Sequence, residues 1–356
     1  MSTPARIAGF VGVAALVGWA ILAVIAPTPA LQGWLIGFIA VSGPMLGALA
    51  ACLIHRLTGG AWGRAFGAPL HSAAKTTPLL CLYILPVLVG APLIYAWAAA
   101  PGALDAQTHR LFLNLPLFIL RSAIAVLGWS ALALRLPCIE GPRGRLGAGL
   151  GLVFHAIAVS VVAVDWVLSV LPGWTSSNFG MELAVMQLAA AFTWAGLAGG
   201  AAATERDVGD LIGLLFATVL GLTYLEFVSF LVVWYGDKPA LDAWYLLRAR
   251  PPWQAPVWIA LGFDLLAIGL MILRRALGAR RALRLISVAV LAGLFSYQLW
   301  LLAPAFGAAC LPDAALALVA MAGGWIAVMN SALPLARPPQ TPSPPTRSPA
   351  EAAHAR

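Results

Sequence analysis

The sequence predicts an all-α integral membrane protein of ten transmembrane helices, and three observations lead there. Hydrophobic residues make up 62% of the 356-residue chain and charged residues 10%, whereas a soluble domain carries about 25% charged residues. The apolar residues fall in repeated runs of roughly twenty, the length that crosses about 30 Å of hydrocarbon. The basic residues sit in short stretches between those runs. A net charge of +8 therefore reads as a topology signal and not as a nucleic-acid-binding face.

The runs lie near residues 7–26, 33–54, 78–99, 111–134, 146–171, 179–203, 210–233, 255–273, 283–303 and 313–333. The first is too long for a signal-peptide core and is followed by another span, so it is expected to be a retained helix. An even number of spans puts both ends of the chain on one side. The loops and tails of that side hold 16 of the 21 Lys and Arg residues, the opposite loops hold Arg110, Lys238, Arg248 and Arg250, and Arg121 lies inside the fourth span. This asymmetry places both termini in the cytoplasm.

The opposite loops, Leu171–Ser177 and Trp234–Trp253, are rich in aromatic and turn residues, as a membrane interface requires. Residues 1–336 are read as one polytopic membrane domain. From Pro338 the chain runs Pro-Pro-Gln-Thr-Pro-Ser-Pro-Pro-Thr, too poor in apolar residues to pack, so 337–356 is expected to be a disordered cytoplasmic tail. Spacings such as Gly43-x-x-x-Gly47 and Gly196-x-x-x-Gly200 permit close helix approach. Cys52, Cys81, Cys138 and Cys310 are scattered singly, with no C-x-x-C pair and no C-x-x-C-H sequence, which argues against a covalent c-type haem or a cysteine-ligated cluster. No metal site is expected.

Ionisable side chains in mid-bilayer are costly, so those that remain face protein or water and have partners. Four stand out: Arg121, Asp165, Glu226 and Asp264. Counted along their helices, Asp165 and Glu226 lie roughly 10–12 Å, and Arg121 and Asp264 roughly 15 Å, from the ends opposite the basic loops. All four are expected to share one layer as a buried network, in which the arginine keeps one carboxylate ionised while others take up protons. A purely structural network that fixes helix register fits the same residues. His155 is the one histidine well inside a span, so a bis-histidine b haem is not expected. A hydrogen-bonded core histidine accounts for it as well.

Several stretches together resemble a known family. They are Gly43-Pro44-Met45-Leu46-Gly47, His55-Arg56-Leu57-Thr58-Gly59-Gly60-Ala61-Trp62-Gly63, Phe112 to Arg121, Asp165-Trp166-Val167-Leu168-Ser169, and Phe230 to Pro239 followed by Trp244-Tyr245 and Arg248. In order and spacing these are similar to the quinone-binding-type membrane subunits of alternative complex III, a quinol:cytochrome c oxidoreductase, which are related to polysulfide reductase membrane subunits. The resemblance implies two four-helix bundles plus a helix pair in a bacterial inner membrane. It also implies a place beside other membrane subunits, an iron–sulfur protein and cytochrome c subunits, which carry the haem and iron–sulfur centres. It implies quinol or quinone as substrate and proton translocation as a contribution of such subunits, with Arg121, Asn114 and Asp165 at matching positions and Asn114 and His155 as candidate quinol contacts.

The sequence departs from the family at two points. After Asp165-Trp166 the family continues Ser-Leu-Glu-Pro-His-Trp, where this chain has Ser169-Val170-Leu171-Pro172-Gly173-Trp174. Ser229 stands where a longer polar side chain is expected, with Glu226 about one turn earlier. A secondary transporter, and an assembly or anchoring subunit without its own quinol site, are the competing expectations.

Overall fold

The structure, a computed structural model, describes residues 3–100, 112–136, 141–171, 173–199, 203–237 and 239–332. The expected tail at 337–356 lies outside the described residues. Helices make up nearly all of them, with no β-strand among the described residues, and ten are long and apolar enough to cross a membrane. The chain is thus an all-α, multi-pass membrane protein. Large apolar side chains such as Phe10, Val24, Leu134, Phe227 and Ile272 stand exposed around it, as lipid-facing surface does and the surface of a soluble monomer rarely does.

The first span, α1 (Thr3–Ile25), buries little beyond Ala5, Gly12 and Ala15. These small residues pack on the last span, α11 (Leu311–Ala332). A Cβ on Gly12 would stand 3.0 Å from the backbone of Gly323, so only glycine lets these two backbones approach so closely. Next comes α2 (Pro27–Thr58), whose Pro27 suits a first helical turn, where an unpaired N–H is not missed. It is buried almost throughout and packs against spans on every side. Its closest seam is with α6 (Phe179–Ala198), where a Cβ on Gly47 would run into the carbonyl of Gln187.

The third span differs from the expected helix at 78–99. Helix α3 (Trp62–Lys75) begins well before it, and the chain then continues as short helical turns through Ala99. Pro78, Pro86 and Pro92 each lack the N–H that would continue the ladder, and each ends the preceding turn.

Helix α4 (Leu115–Arg135) starts at Asn114, whose Oδ1 accepts from the Leu117 amide at 3.0 Å. Helix α5 (Gly141–Val162) runs on as a π turn, Ala163–Val167, and a 3-10 turn, Leu168–Val170. Helix α7 (Glu205–Gly236) opens with a Thr204/Asp207 capping box. Short helix α8 (Pro239–Arg248) leads to α9 (Gln254–Ile272) and α10 (Ala279–Phe306). Spans two to five pack together around α2, and spans six to nine around α10. The α2/α6 seam joins the two groups, and α1 with α11 forms the pair beside them.

Candidate functional site

Polar side chains gather in two places, both toward the ends of the helices opposite the arginine-rich turns. The first is built on the irregularity of α5. A π turn adds one residue to the helical repeat, a feature frequent at functional positions, and here it holds Asp165, which is fully buried. Arg121, about two turns into α4, meets it as a fork: Nε donates to Oδ2 at 2.7 Å and Nη2 to Oδ1 at 2.7 Å. Nη2 also donates to the Phe112 carbonyl at 2.9 Å, and the guanidinium lies 4.2 Å over the Phe112 ring. Around the pair, Trp166 Nε1 donates to Ser122 Oγ at 3.0 Å and the Tyr95 hydroxyl to the Trp166 carbonyl at 3.2 Å. Each charge here is answered by the other.

The second place lies between α6, α7, α9 and α10. Glu182, in the first turn of α6, is 1% exposed. The Tyr297 hydroxyl of α10 donates to its Oε1 at 2.7 Å. Ser229 Oγ of α7 is 3.4 Å from Oε2 and 3.1 Å from Asn178 Oδ1, and its one hydrogen serves one of them at a time. Glu226 lies within electrostatic reach of both Glu182 and Asp264, and makes no hydrogen bond among the described residues. Asp264 of α9 faces α10 where Gly293 leaves room: a Cβ there would sit 3.1 Å from its Oδ1. Three carboxyl groups therefore share one region, and the described residues form no ion pair with any of them.

Glu226 opens on a cavity of about 430 Å³, walled mainly by Phe230, Tyr245, Val257, Trp258, Tyr297 and Trp300, with Gln254 and Arg248 as its other polar lining. A mostly apolar hollow with a few polar groups is the usual form of a small-molecule site. Arg248, the last residue of α8, is 1% exposed. Its Nε donates to the Trp300 carbonyl at 3.0 Å, Nη1 to that of Trp244 at 3.0 Å and Nη2 to that of Leu301 at 2.6 Å. Its guanidinium lies 3.5 Å over the Trp244 ring, and Trp244 in turn stacks on Trp174 at 3.9 Å. Burial pushes its pKa down to about 9, which leaves it a cation at neutral pH. It is a buried cation held by carbonyl dipoles and aromatic faces, not the solvated loop charge that its sequence position suggested.

The expectation of one four-membered network is thereby corrected. Arg121 pairs with Asp165, Glu226 and Asp264 belong to the cavity region, and the two groups have no partner in common. The cause is topological, because α4 and α5 pack within the α2 group while α7 and α9 pack on α10. Asn114 caps α4. His155 is buried beside Trp129, ring centroids 5.9 Å apart, with Nδ1 unpartnered among the described residues, and it does not line the cavity.

Glu182 and Tyr297 are not among the residues the sequence singles out, and Arg248 stands there only as a loop charge and part of a family motif. Glu182 sits where a span begins, and a carboxylate there reads as an interfacial or helix-dipole charge. Tyr297 reads as one aromatic among many. Glu182 did carry one signal, as the sole acid in an otherwise apolar span. A scan against protein-family models gives no match to this chain, and a comparison with curated proteins finds none.

Proposed function

We propose that this chain is an integral membrane subunit of a bacterial respiratory quinol:cytochrome c oxidoreductase complex, with both termini on the cytoplasmic side, and that it contributes to quinol interaction, proton translocation or both. The observation that carries the reading is Glu226, a carboxyl group with no hydrogen-bond partner among the described residues, on the wall of an aromatic-lined cavity of about 430 Å³. Such walls suit a flat, apolar ring that enters from the membrane. Oxidation of a quinol to a quinone releases two electrons and two protons. A carboxylate beside the ring is placed to accept one of the protons, and Glu182, hydrogen-bonded by Tyr297, lies behind it as the next acid. The electrons go to haem and iron–sulfur centres on partner subunits. The motif resemblance at Phe112–Arg121 and Asp165–Ser169 supports the same assignment.

The test is purification of the tagged chain in mild detergent, followed by a visible spectrum and identification of what comes with it. Cytochrome c and iron–sulfur proteins in the preparation are the expected result. A colourless particle of this chain alone that binds a solute contradicts the reading and favours a secondary transporter. One structural feature fits that alternative, because the proline-broken third span resembles the discontinuous helices on which many transporters build their sites.

A further inference from the structure

At the opposite end of the molecule, among the arginine-rich turns, lies a second hollow of about 470 Å³ between the first turns of α7 and the Arg274–Ala279 turn that joins α9 to α10. Arg206, Arg274 and Arg275 line it together with Glu205 and Asp210. Although both signs are present, none of the three arginines is within ion-pair distance of a carboxylate among the described residues. Arg280 frames the site from outside: its Nη2 donates to the Ala203 carbonyl at 3.1 Å and ties the start of α10 to the segment before α7.

The wall leading away from this hollow into the membrane is apolar and grooved. On α7, Gly209 lines the hollow, and Gly213, Phe216 and Leu220 follow at helical spacing on the same face. At both glycines a Cβ would meet nothing within 4 Å, and Phe216 and Leu220 are exposed. Ile272 and Leu273 at the end of α9 are exposed as well. A charged mouth thus opens directly onto a side-chain-free groove and exposed apolar surface, an order of chemistry matched by a phospholipid with its phosphate at the arginines and an acyl chain along α7.

We propose that this hollow is a binding site for an anionic phospholipid of the phosphatidylglycerol type. Three guanidinium groups face two carboxylates, so the cavity carries a net positive charge that a net anionic headgroup answers better than a zwitterionic one. The acids Glu205 and Asp210 accept hydroxyl hydrogens from a glycerol headgroup. The site is independent of the quinol reading and stands or falls without it.

Native mass spectrometry of the delipidated full chain, titrated separately with phosphatidylglycerol, phosphatidylethanolamine and inorganic phosphate, tests the site. Phosphatidylglycerol is expected to bind at least about tenfold more tightly than phosphatidylethanolamine, with inorganic phosphate failing to displace it. The combined Arg206→Gln, Arg274→Gln and Arg275→Gln variant is expected to bind it about 100-fold more weakly, from roughly fivefold per arginine near a membrane surface. Gly213→Leu, which adds a side chain into open space and leaves every charge in place, is expected to weaken binding about tenfold. Arg135→Gln, at the same end but outside the hollow, is expected to change nothing. Equal affinity for the two lipids, displacement by inorganic phosphate, unchanged binding in Gly213→Leu, or an equal loss in Arg135→Gln each overturns the proposal.

Discussion

The two buried polar regions of this protein handle the same problem, charge in a low-dielectric interior, in opposite ways. Around α4 and α5 an arginine and an aspartate meet as a two-point fork, with the Tyr95 hydroxyl and the Trp166 indole hydrogen-bonded beside them. Around α7 and α10 Glu226 lies within reach of two further carboxyl groups, Glu182 and Asp264, the cation nearest the cavity is turned toward carbonyls, and Glu226 itself faces an open hollow. A closed pair of this kind orients helices and has little left to offer a ligand. An acid with no hydrogen bond or ion pair among the described residues is free to exchange a proton with whatever enters. The difference teaches that buried charge alone does not mark a site, and that the missing partner does.

Breaking the first region should produce the largest effect on stability. Arg121→Ala leaves Asp165 buried without its cation, which costs about 3–5 kcal/mol. Thermal unfolding of the detergent-solubilised chain should show a large drop, largely reversed in an Arg121→Met/Asp165→Leu double variant, and a loss under about 1 kcal/mol would contradict a structural pair. Gly47→Ala, which drives a methyl group into the Gln187 carbonyl at the seam between the two halves, should cost about 1–3 kcal/mol in the same assay. Tyr297→Phe removes the hydroxyl that donates to Glu182 Oε1 and should cost about 1.5–3 kcal/mol. In a Tyr297→Phe/Glu182→Gln double variant the two losses should fail to add, because they share one interaction. Glu226→Gln should move stability by less than about 0.5 kcal/mol, since no hydrogen bond is lost among the described residues.

Much of the architecture was legible in the sequence because lipid imposes a simple rule: a span must be apolar over about twenty residues. The ten spans follow from that rule, and so does the broad end-to-end separation of basic loops from aromatic ones. The third span was not legible, because hydropathy is blind to what Pro78, Pro86 and Pro92 do to a hydrogen-bond ladder. Arg121 and Asp165 were each visible as charges out of place, but their exclusive pairing depends on which helices adjoin, and residue depth does not report that. Glu182 hid at a helix terminus, where acids are ordinary. Arg248 hid in a loop whose folding back against Trp300 and Leu301 only the tertiary structure reveals.

Under the proposed function, Glu226 and not the Arg121–Asp165 pair is where the chain meets quinol. The direct measurement is quinol-dependent electron transfer by the assembled complex carrying Glu226→Gln, compared with the native complex at equal content. A loss of about 100-fold is expected, the scale of removing a general base, with assembly and thermal stability unchanged. Native turnover in a correctly assembled Glu226→Gln complex would contradict it.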